Sequence, residues 1–428
     1  MIPVIGWKTL ECDNFLRKIS TRGSESDPQI EARVAEILAA VRQRGDAALL
    51  EFTRQFDGVL LSQVRIDPAE LRELASQVDP ALRESLHRAA ENIRRFHLKQ
   101  METSWTMEAG EGVRLGQRIS PLRSVGLYVP GGTAAYPSTV LMNAIPAQIA
   151  GVPRIAVVTP YRQLRRNPAI ASVLLELGLE EVYGVGGAQA VAALAYGTQS
   201  LPRVDKIVGP GNIYVATAKR RVYGTVDIDM IAGPSEVVVV ADDSADSDCV
   251  AADLMAQAEH DPDACAVAVV FSGAMAERIQ ASLQKLIRRL NRHEIIRQAL
   301  GNFGALLLVS NEEEAAEAVN CVAPEHLELF TANPESFSEK IHSAGAIFYG
   351  EASCEAVGDY FAGPNHVLPT SGTARFASPL GVYDFLKRTS LIYYTRTALA
   401  RDRAHVERIA RAEQLDAHAL SVSIRFEK

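Results

Sequence analysis

Between Val125 and Gly350 the chain repeats one pattern: a short β-branched run, a turn containing Gly or Pro, then a helical segment. "VGLYVPGG", "RIAVVTP", "EEVYGVGG" and "DKIVGPG" read as strands entering turns. "PAIASVLLELGL", "AQAVAALAYGT" and "NIYVATAKRRVYG" read as the helices. Strands alternating with helices restrict the chain to βαβ units on a parallel sheet, since parallel neighbours need a crossover. After "AGPSE" the alternation restarts with "EVVVVADD", "SDCVAADLMAQAEH", "CAVAVVFSG" and "AMAERIQASLQKLIRRL", and runs on to "GAIFYG". Two consecutive units result, 125–235 and 236–350, with no letter-level repeat between them. The expected fold is α/β: two incomplete Rossmann-like parallel-sheet units, a helical N-terminal region and a C-terminal helical tail.

The flanks differ in character. "IEARVAEILAAVRQRGDAALLEFTRQFDG" and "LRESLHRAAENIRRFHLKQ" carry apolar residues at three-to-four spacing, so the first hundred residues read as helical. Residues 351–382 show no clear period and are rich in Gly, Pro, Ser and Thr; a structureless stretch of that length in a domain is usually functional or disordered. Its aromatic and histidine content favours function. From Asp384 onward the chain turns amphipathic and mostly helical, too short for its own core and expected to pack on something, a second subunit being one choice.

Composition excludes several classes. Of 428 residues, 47% are apolar and 22% charged, as in an ordinary soluble globular protein. The net charge of -8 argues against a nucleic-acid groove. No apolar run reaches the ~18–20 residues of a membrane-spanning helix, and the opening residues do not resemble a signal peptide. Cys12, Cys249, Cys265, Cys321 and Cys354 form no CxxC pair and read as reduced, mostly buried thiols, which with the other features points to the cytoplasm.

Chemistry concentrates where elements end. "VPGGTAAYPS", "GVGGAQA", "GPGNIYV" and "AGPSE" place glycine where a strand meets a helix, which lets backbone amides approach a phosphate. In "GVGGAQA", Gly184 and Gly186 are followed by Gln189 and Ala190 without the third glycine of the dinucleotide fingerprint, and Asp205 stands near the spacing of a ribose-binding acid. An ordinary tight turn explains each loop singly; four in one block favour a nucleotide pocket. His87, His97, His293, His342 and His405 fall on charged helical stretches and read as surface. His260, His326, His366 and His418 sit at element ends or in the aperiodic stretch. In "APEHLEL", Glu325 beside His326 suits general acid/base work, with a helix cap and a satisfied histidine as the competing reading. "AQAEHDPDA" places Gln257 and His260 at i, i+3 on one helix face, with Pro262 stopping the helix. Asp359 and His366 are ordinary metal-ligand types, and with His260 they suit zinc or manganese. Glu413 and His418 lie five apart, about 140° around a helix, so spacing alone does not join them. Cys321 lacks a nearby basic residue in sequence and reads as a buried helical thiol, not a nucleophile.

Taken in order, "YVPGG", "GVGGAQAVAALAYGT", "GPGNIYV", "AGPSEV", "AQAEHDPDA", "APEHLEL", "GDYFAGPNHVLPTSG" and "EQLDAHALSV" resemble the histidinol dehydrogenase family from about residue 30 to the C-terminus. The resemblance implies two successive NAD-linked oxidations, of L-histidinol to a bound aldehyde and then to L-histidine, the last step of histidine biosynthesis. It implies zinc held by Gln257, His260, Asp359 and His418, with His418 from the partner of an intertwined homodimer. Zinc in that family orients the substrate, so its ligands also touch it. His326, itself in contact with substrate, would take the hydroxyl proton and Glu325 would activate water. Ser235, His366 and Glu413 would contact substrate; Tyr128, Gln189 and Asn212 would contact NAD. The family's cofactor mode assigns no role to Gly184, Gly186 or Asp205. The expected domains are an arm at 1–25, an α/β domain of 26–124 with 236–382 carrying the metal and catalytic residues, a second α/β domain at 125–235 for NAD, and a helical tail at 383–428 packing on the partner. Three competing readings are a relative oxidising another amino alcohol, a metal-dependent hydrolase with Glu325 as base, and a two-lobed ligand-binding protein.

Overall fold

Four successive valines, Val237 to Val240, are fully buried in the strand Glu236–Ala241. A strand covered on both faces reads as a continuous apolar run, and this one lies inside a six-stranded sheet. Its order is Val4–Gly6, Gly304–Leu308, Cys265–Val270, Glu236–Ala241, His326–Phe330, Ala346–Tyr349, all parallel. A five-stranded parallel sheet runs Val182–Tyr183, Ile155–Val158, Val125–Tyr128, Lys206–Val208, Asp227–Ile228. The computed structural model describes residues 2–22, 27–131, 137–231 and 233–427. Half of the "VPGGTAAYPS" loop, residues 132–136, therefore lies outside the described residues, as does the first residue of "AGPSE". It is a mixed α/β protein with parallel sheets, and the two units expected from the alternation correspond to its two parallel sheets. Among the described residues no helix is long and apolar enough to cross a membrane.

The flanks pack differently from expectation. Of residues 26–124, expected to join 236–382, the helices between 28 and 97 cover the other unit instead. The helices Pro28–Arg44 and Asp46–Phe52 bury Val34, Ile37, Val41 and Leu49 against one face of the five-stranded sheet. The helices Pro68–Ser76 and Pro80–His97 bury Leu71, Leu86 and Ile93 against its other face. Their apolar stripes fix which side of each helix is buried, but not which sheet receives it. The expected arm at 1–25 is also no arm: Val4–Gly6 is the edge strand of the six-stranded sheet, and Leu10–Ser20 buries Cys12, Phe15 and Ile19 in that sheet's core. His97, expected at the surface, is fully buried and pairs its Nδ1 with the Ile93 carbonyl at 2.8 Å.

The tail is not helical throughout. Leu386–Tyr394 is a nine-residue strand pairing antiparallel with Val113–Pro121, which pairs in turn with Trp105–Glu108. These strands face solvent widely, with Trp105, Met107, Ile392 and Tyr393 exposed, so they lack the in–out alternation that marks a half-buried strand. The helices Arg396–Ala412 and Asp416–Ser423 follow.

One backbone feature sets the entry to the site. The helix Glu312–Val322 is capped by Ala323 at φ +52°, and Pro324 leads into the strand His326–Phe330. The left-handed conformation costs an L-residue about 1–2 kcal/mol, which glycine avoids. Ala323→Gly should therefore raise stability by about 0.5–1 kcal/mol after its own entropy cost, read as a higher urea midpoint at unchanged slope.

Candidate active site

Parallel register brings the site together at the amino end of one strand. His326 opposes Val237 on one side and Ala346 on the other. Glu325, immediately before it, accepts the Glu236 N–H on Oε2 at 3.0 Å. His326 Nδ1 reaches the Glu236 carbonyl at 3.3 Å. Both side chains are nearly fully buried, and Nδ1 of His326 lies 3.9 Å from the Glu325 carboxylate. Ser235 precedes the Glu236–Ala241 strand, and its carbonyl accepts the Cys265 N–H at 2.9 Å. The loop that bears Ser235 therefore borders the Glu325–His326 pair.

The helix Ser247–Ala258 supplies Gln257, which is completely buried. With its carboxamide turned to satisfy its neighbours, Gln257 donates to the Glu355 carboxylate at 3.1 Å and to the Glu236 carbonyl at 3.2 Å, beside His326 Nδ1 at 3.2 Å. His260 lies two residues past the helix end, its N–H bonded to the Gln257 carbonyl at 3.2 Å. The aperiodic stretch supplies a short helix, Glu355–Tyr360, whose i, i+4 carboxylates Glu355 and Asp359 both enter the site. Asp359 Oδ1 stands 3.5 Å from His326 Nε2. His260, Glu355 and Asp359 each offer a ligand atom within 4.8 Å of the others. Sequence reasoning misses Glu355; the signal available is its i, i+4 relation to Asp359, hidden by the lack of a helical period around it. His366 Nδ1 donates to the Asp359 carbonyl at 3.0 Å, which ties the loop back onto the helix.

Burial dominates the electrostatics. Desolvation pushes Glu325 up to about 7, against the pull of His326 and the Glu236 N–H. Glu355 rises to about 8 by desolvation, with His326 opposing and Asp359 and Glu325 reinforcing. Desolvation also lowers His260 and His366 below the usual imidazole range. For Asp359, desolvation is outweighed by His326, His366 and His260, which hold it low. For His326, desolvation is outweighed by Glu355, Glu325 and Asp359, which raise it well above an ordinary imidazole. Behind these groups, Glu328 accepts the Glu355 N–H at 2.8 Å. Burial, reinforced by Asp253 and Glu355, lifts its carboxyl to about 9, and burial lifts Asp253 to about 6 against the hydrogen bond from Glu328.

Glu413 and His418 stand apart. Glu413 follows the Arg396–Ala412 helix, His418 lies in Asp416–Ser423, and both are exposed. Neither joins the His260, Glu355, Asp359 group among the described residues of one chain. Cys321, expected to be buried, is exposed on its helix, and Arg375 hydrogen-bonds its carbonyl. Its thiol lies above the usual range because desolvation outweighs Arg375.

Tyr128, Gln189 and Asn212 gather at the carboxyl edge of the five-stranded sheet. Tyr128 ends the strand Val125–Tyr128, is buried, and its hydroxyl accepts the Gly187 N–H at 3.0 Å. Burial pushes that phenol up to about 12. Gln189 is buried in the first turn of Gly187–Tyr196, a helix with no side-chain cap. Asn212 caps Ile213–Val222, accepting from Tyr214 and Val215 N–H groups at 3.1 and 3.2 Å. Val125–Tyr128 and Lys206–Val208 are adjacent, and the chain order proceeds outward from them in opposite directions. Open parallel sheets bind ligands in the crevice at such a switch point.

A pH-linked stability change follows from Glu325. Its folded value of about 7 lies above the ordinary carboxyl value of 4.5, so the fold prefers the protonated carboxyl. That contribution is full below about 4.5 and is lost as pH rises through about 7. In chelator-treated protein, Glu325→Gln should gain roughly 3 kcal/mol over the parent between pH 5 and pH 9. Urea unfolding at the two pH values measures it; an equal difference at both contradicts the desolvated carboxyl.

The described geometry has counterparts among known proteins. The family model described as histidinol dehydrogenase matches residues 20–426. Histidinol dehydrogenase of Listeria monocytogenes is 50% identical over 400 residues, covering 94% of each chain. That of Pseudomonas aeruginosa is 52% identical over 406 residues, covering 94% of this chain and 92% of its own. A crystal structure of histidinol dehydrogenase from Elizabethkingia anophelis superposes with a TM-score of 0.93 at 34% identity, covering 100% of this chain and 98% of that one. Matches of this extent leave one assignment: the chain belongs to the histidinol dehydrogenase family of oxidoreductases.

Proposed function

We propose that the chain oxidises L-histidinol to L-histidine in two NAD-linked steps through a bound L-histidinal, the last step of histidine biosynthesis, as a cytoplasmic homodimer. The observation that carries this reading is the buried Glu325–His326 pair set against the metal-competent group His260, Glu355 and Asp359. A hydrolase would use the acid/base pair but leave the Tyr128–Asn212 crevice without a purpose.

The donor set fits a divalent cation, zinc or manganese, because imidazole and carboxylate are ligand types for both. Gln257, His260 and Asp359 would hold it in one chain, Glu355 stands beside them, and His418 would enter from the partner. When bound, the cation would orient the substrate and offset the carboxylates that raise His326. NAD supplies the hydride acceptor at the Tyr128, Gln189 and Asn212 crevice. Ser235 and His366 border the pocket in one chain, and Glu413 would reach it with His418 from the other, all three in contact with substrate.

His326 takes the proton of the substrate hydroxyl as hydride leaves its carbon, giving the aldehyde. Glu325, once ionised, takes a proton from water as the water oxygen bonds to the aldehyde carbon. His326 returns its proton to the aldehyde oxygen to give the hydrate. It then takes a hydrate hydroxyl proton as the second hydride leaves for a second NAD, and the resulting acid ionises to the carboxylate. Burial serves both roles: Glu325 near 7 is basic enough to activate water and still ionises near neutral pH.

Histidinol-dependent NADH formation by zinc-loaded protein, lost on chelation, is the expected result; no such signal in the zinc-loaded protein overturns the reading. His326→Asn should depress kcat by 100-fold or more with substrate binding largely intact, since it removes a proton acceptor. A kcat within a fewfold of the parent overturns that assignment. His326→Ala and His418→Ala proteins, each impaired, should recover activity when mixed; no recovery after verified subunit exchange contradicts shared sites.

A further inference from the structure

Gly209, in the "GPGN" turn, is held by its backbone on both sides. Asp229 Oδ2 accepts its N–H at 2.7 Å. Lys219 Nζ donates to its carbonyl at 3.0 Å. Lys219 and Asp229 are paired directly with each other, and their side chains are 3% and 1% exposed. The other oxygen of Asp229 also accepts the Met230 N–H at 2.6 Å, and the Asp229 N–H continues the strand ladder to the Ile207 carbonyl at 3.1 Å. Lysine and aspartate are rarely buried to this extent, and replacing such a pair with apolar groups often costs little, so bulk stability is a poor reason for its presence.

The peptide it grips has a second constraint. Gly209 has φ +112°, and a Cβ there would lie 2.1 Å from the Tyr128 carbonyl oxygen. Its backbone therefore presses on Tyr128, while three residues later Asn212 caps the helix Ile213–Val222, which itself carries Lys219. The clasp thus closes a ring: Gly209 to Asp229, Asp229 to Lys219, and Lys219 through its helix back to Asn212.

We propose that Lys219 and Asp229 are positioning residues for the cofactor, a buried ion-pair clasp that holds the Gly209 peptide so that Tyr128 and Asn212 keep their places at the NAD crevice. This rests on the reading of that crevice as the NAD site. The pair gives the loop both a donor and an acceptor, which two apolar, well-packed side chains would not supply. Neither residue touches the cofactor; both act through the Gly209 peptide.

The test measures NAD binding by calorimetry on the zinc-loaded parent and on Lys219→Met, Asp229→Ala and Asp229→Asn, with histidinol affinity and thermal midpoint measured alongside. Lys219→Met and Asp229→Ala should raise the Kd for NAD tenfold or more while histidinol affinity stays within twofold. Asp229→Asn keeps an acceptor for the Gly209 N–H, is the mildest change to the fold, and should recover part of the loss. The double variant Lys219→Met/Asp229→Ala should bind NAD no worse than the poorer single, because two halves of one clasp are not additive. NAD affinity within twofold of the parent in folded variants overturns the clasp. Loss of NAD and histidinol affinity together, in step with the thermal midpoint, overturns it too, since a general scaffold role acts on both. A parent that binds histidinol but no NAD overturns the cofactor reading first, which separates that failure from failure of the clasp alone.

Discussion

The burial of several carboxylates around one imidazole governs the rest of the site. Glu325, Glu355 and Asp359 converge on His326, while Asp253 and Glu328 lie just behind. Like charges that close together, away from water, cannot all ionise. The structure answers with protons and with cationic partners: Glu325, Glu355 and Glu328 are raised, and only Asp359, flanked by three imidazoles, is held low. Such an arrangement is costly for a scaffold and useful for chemistry. It supplies a carboxyl that titrates near neutral pH next to a place where a cation is electrostatically welcome.

The scaffold that tolerates this is unusually dry. The neighbouring strand contributes Val237–Val240 and His326's own strand Leu327, all fully buried, so the acidic groups enter from strand and helix ends, not from strand centres. Glu328 is the exception, placed at i+2 on the same strand face as His326, where burial, reinforced by Asp253, pushes its carboxyl up to about 9. Asp253 and Gln257 stand four apart on one helix face. Two periodicities, two on the strand and four on the helix, therefore stack the polar groups in two layers: His326 with Gln257, and Glu328 with Asp253. The lower layer also fixes the first turn of the helix carrying Glu355 and Asp359, through the Glu355 N–H.

Much of this is legible in the sequence, and the remainder shows where local pattern stops carrying information. The inner strands of both parallel sheets announce themselves because burial on two faces leaves an uninterrupted β-branched run, as in "EVVVV", whereas the edge strands Val4–Gly6 and Asp227–Ile228 are too short to show one. Gln257 and His260 are readable as one face because helical spacing is local. Glu355 is not, because a helix of six residues shows less than two turns of period. The destination of the helices between 28 and 97 is hidden since amphipathicity names a buried face without naming its partner. The strand Leu386–Tyr394 escapes for the opposite reason: its two faces are both wet, so no alternation exists to read. Buried His97 resembles a surface residue because its neighbours in sequence, Arg94 and Arg95, are charged. The roles of Glu413 and His418 come from family resemblance, and one chain's geometry leaves both at the surface.

In the proposed reaction the two sheets carry different halves of the chemistry, and a short connection joins them. Asp229 closes the clasp on Gly209 beside the five-stranded sheet, and Ser235 begins the six-stranded one next to Glu325. Six peptide units separate them, so the two points lie within about 21 Å of each other however the chain is drawn. Within that connection the Gly233 N–H bonds to Thr370 Oγ1 at 2.7 Å, which secures it to the loop that also bears His366. On the far side, Lys206 Nζ donates to the Asp384 carbonyl at 2.7 Å, tying the five-stranded sheet to the start of the tail. A hydride donor carbon must meet both a base and an acceptor ring within about 3–3.5 Å of the reacting atoms, which loosely joined domains would not sustain. Anchoring the connector at both ends, and at its middle through Gly233, limits how far the crevice with Tyr128 and Asn212 can drift from Glu325 and His326. Among its described residues, the connector is thus held by hydrogen bonds at Asp229, Gly233 and Ser235.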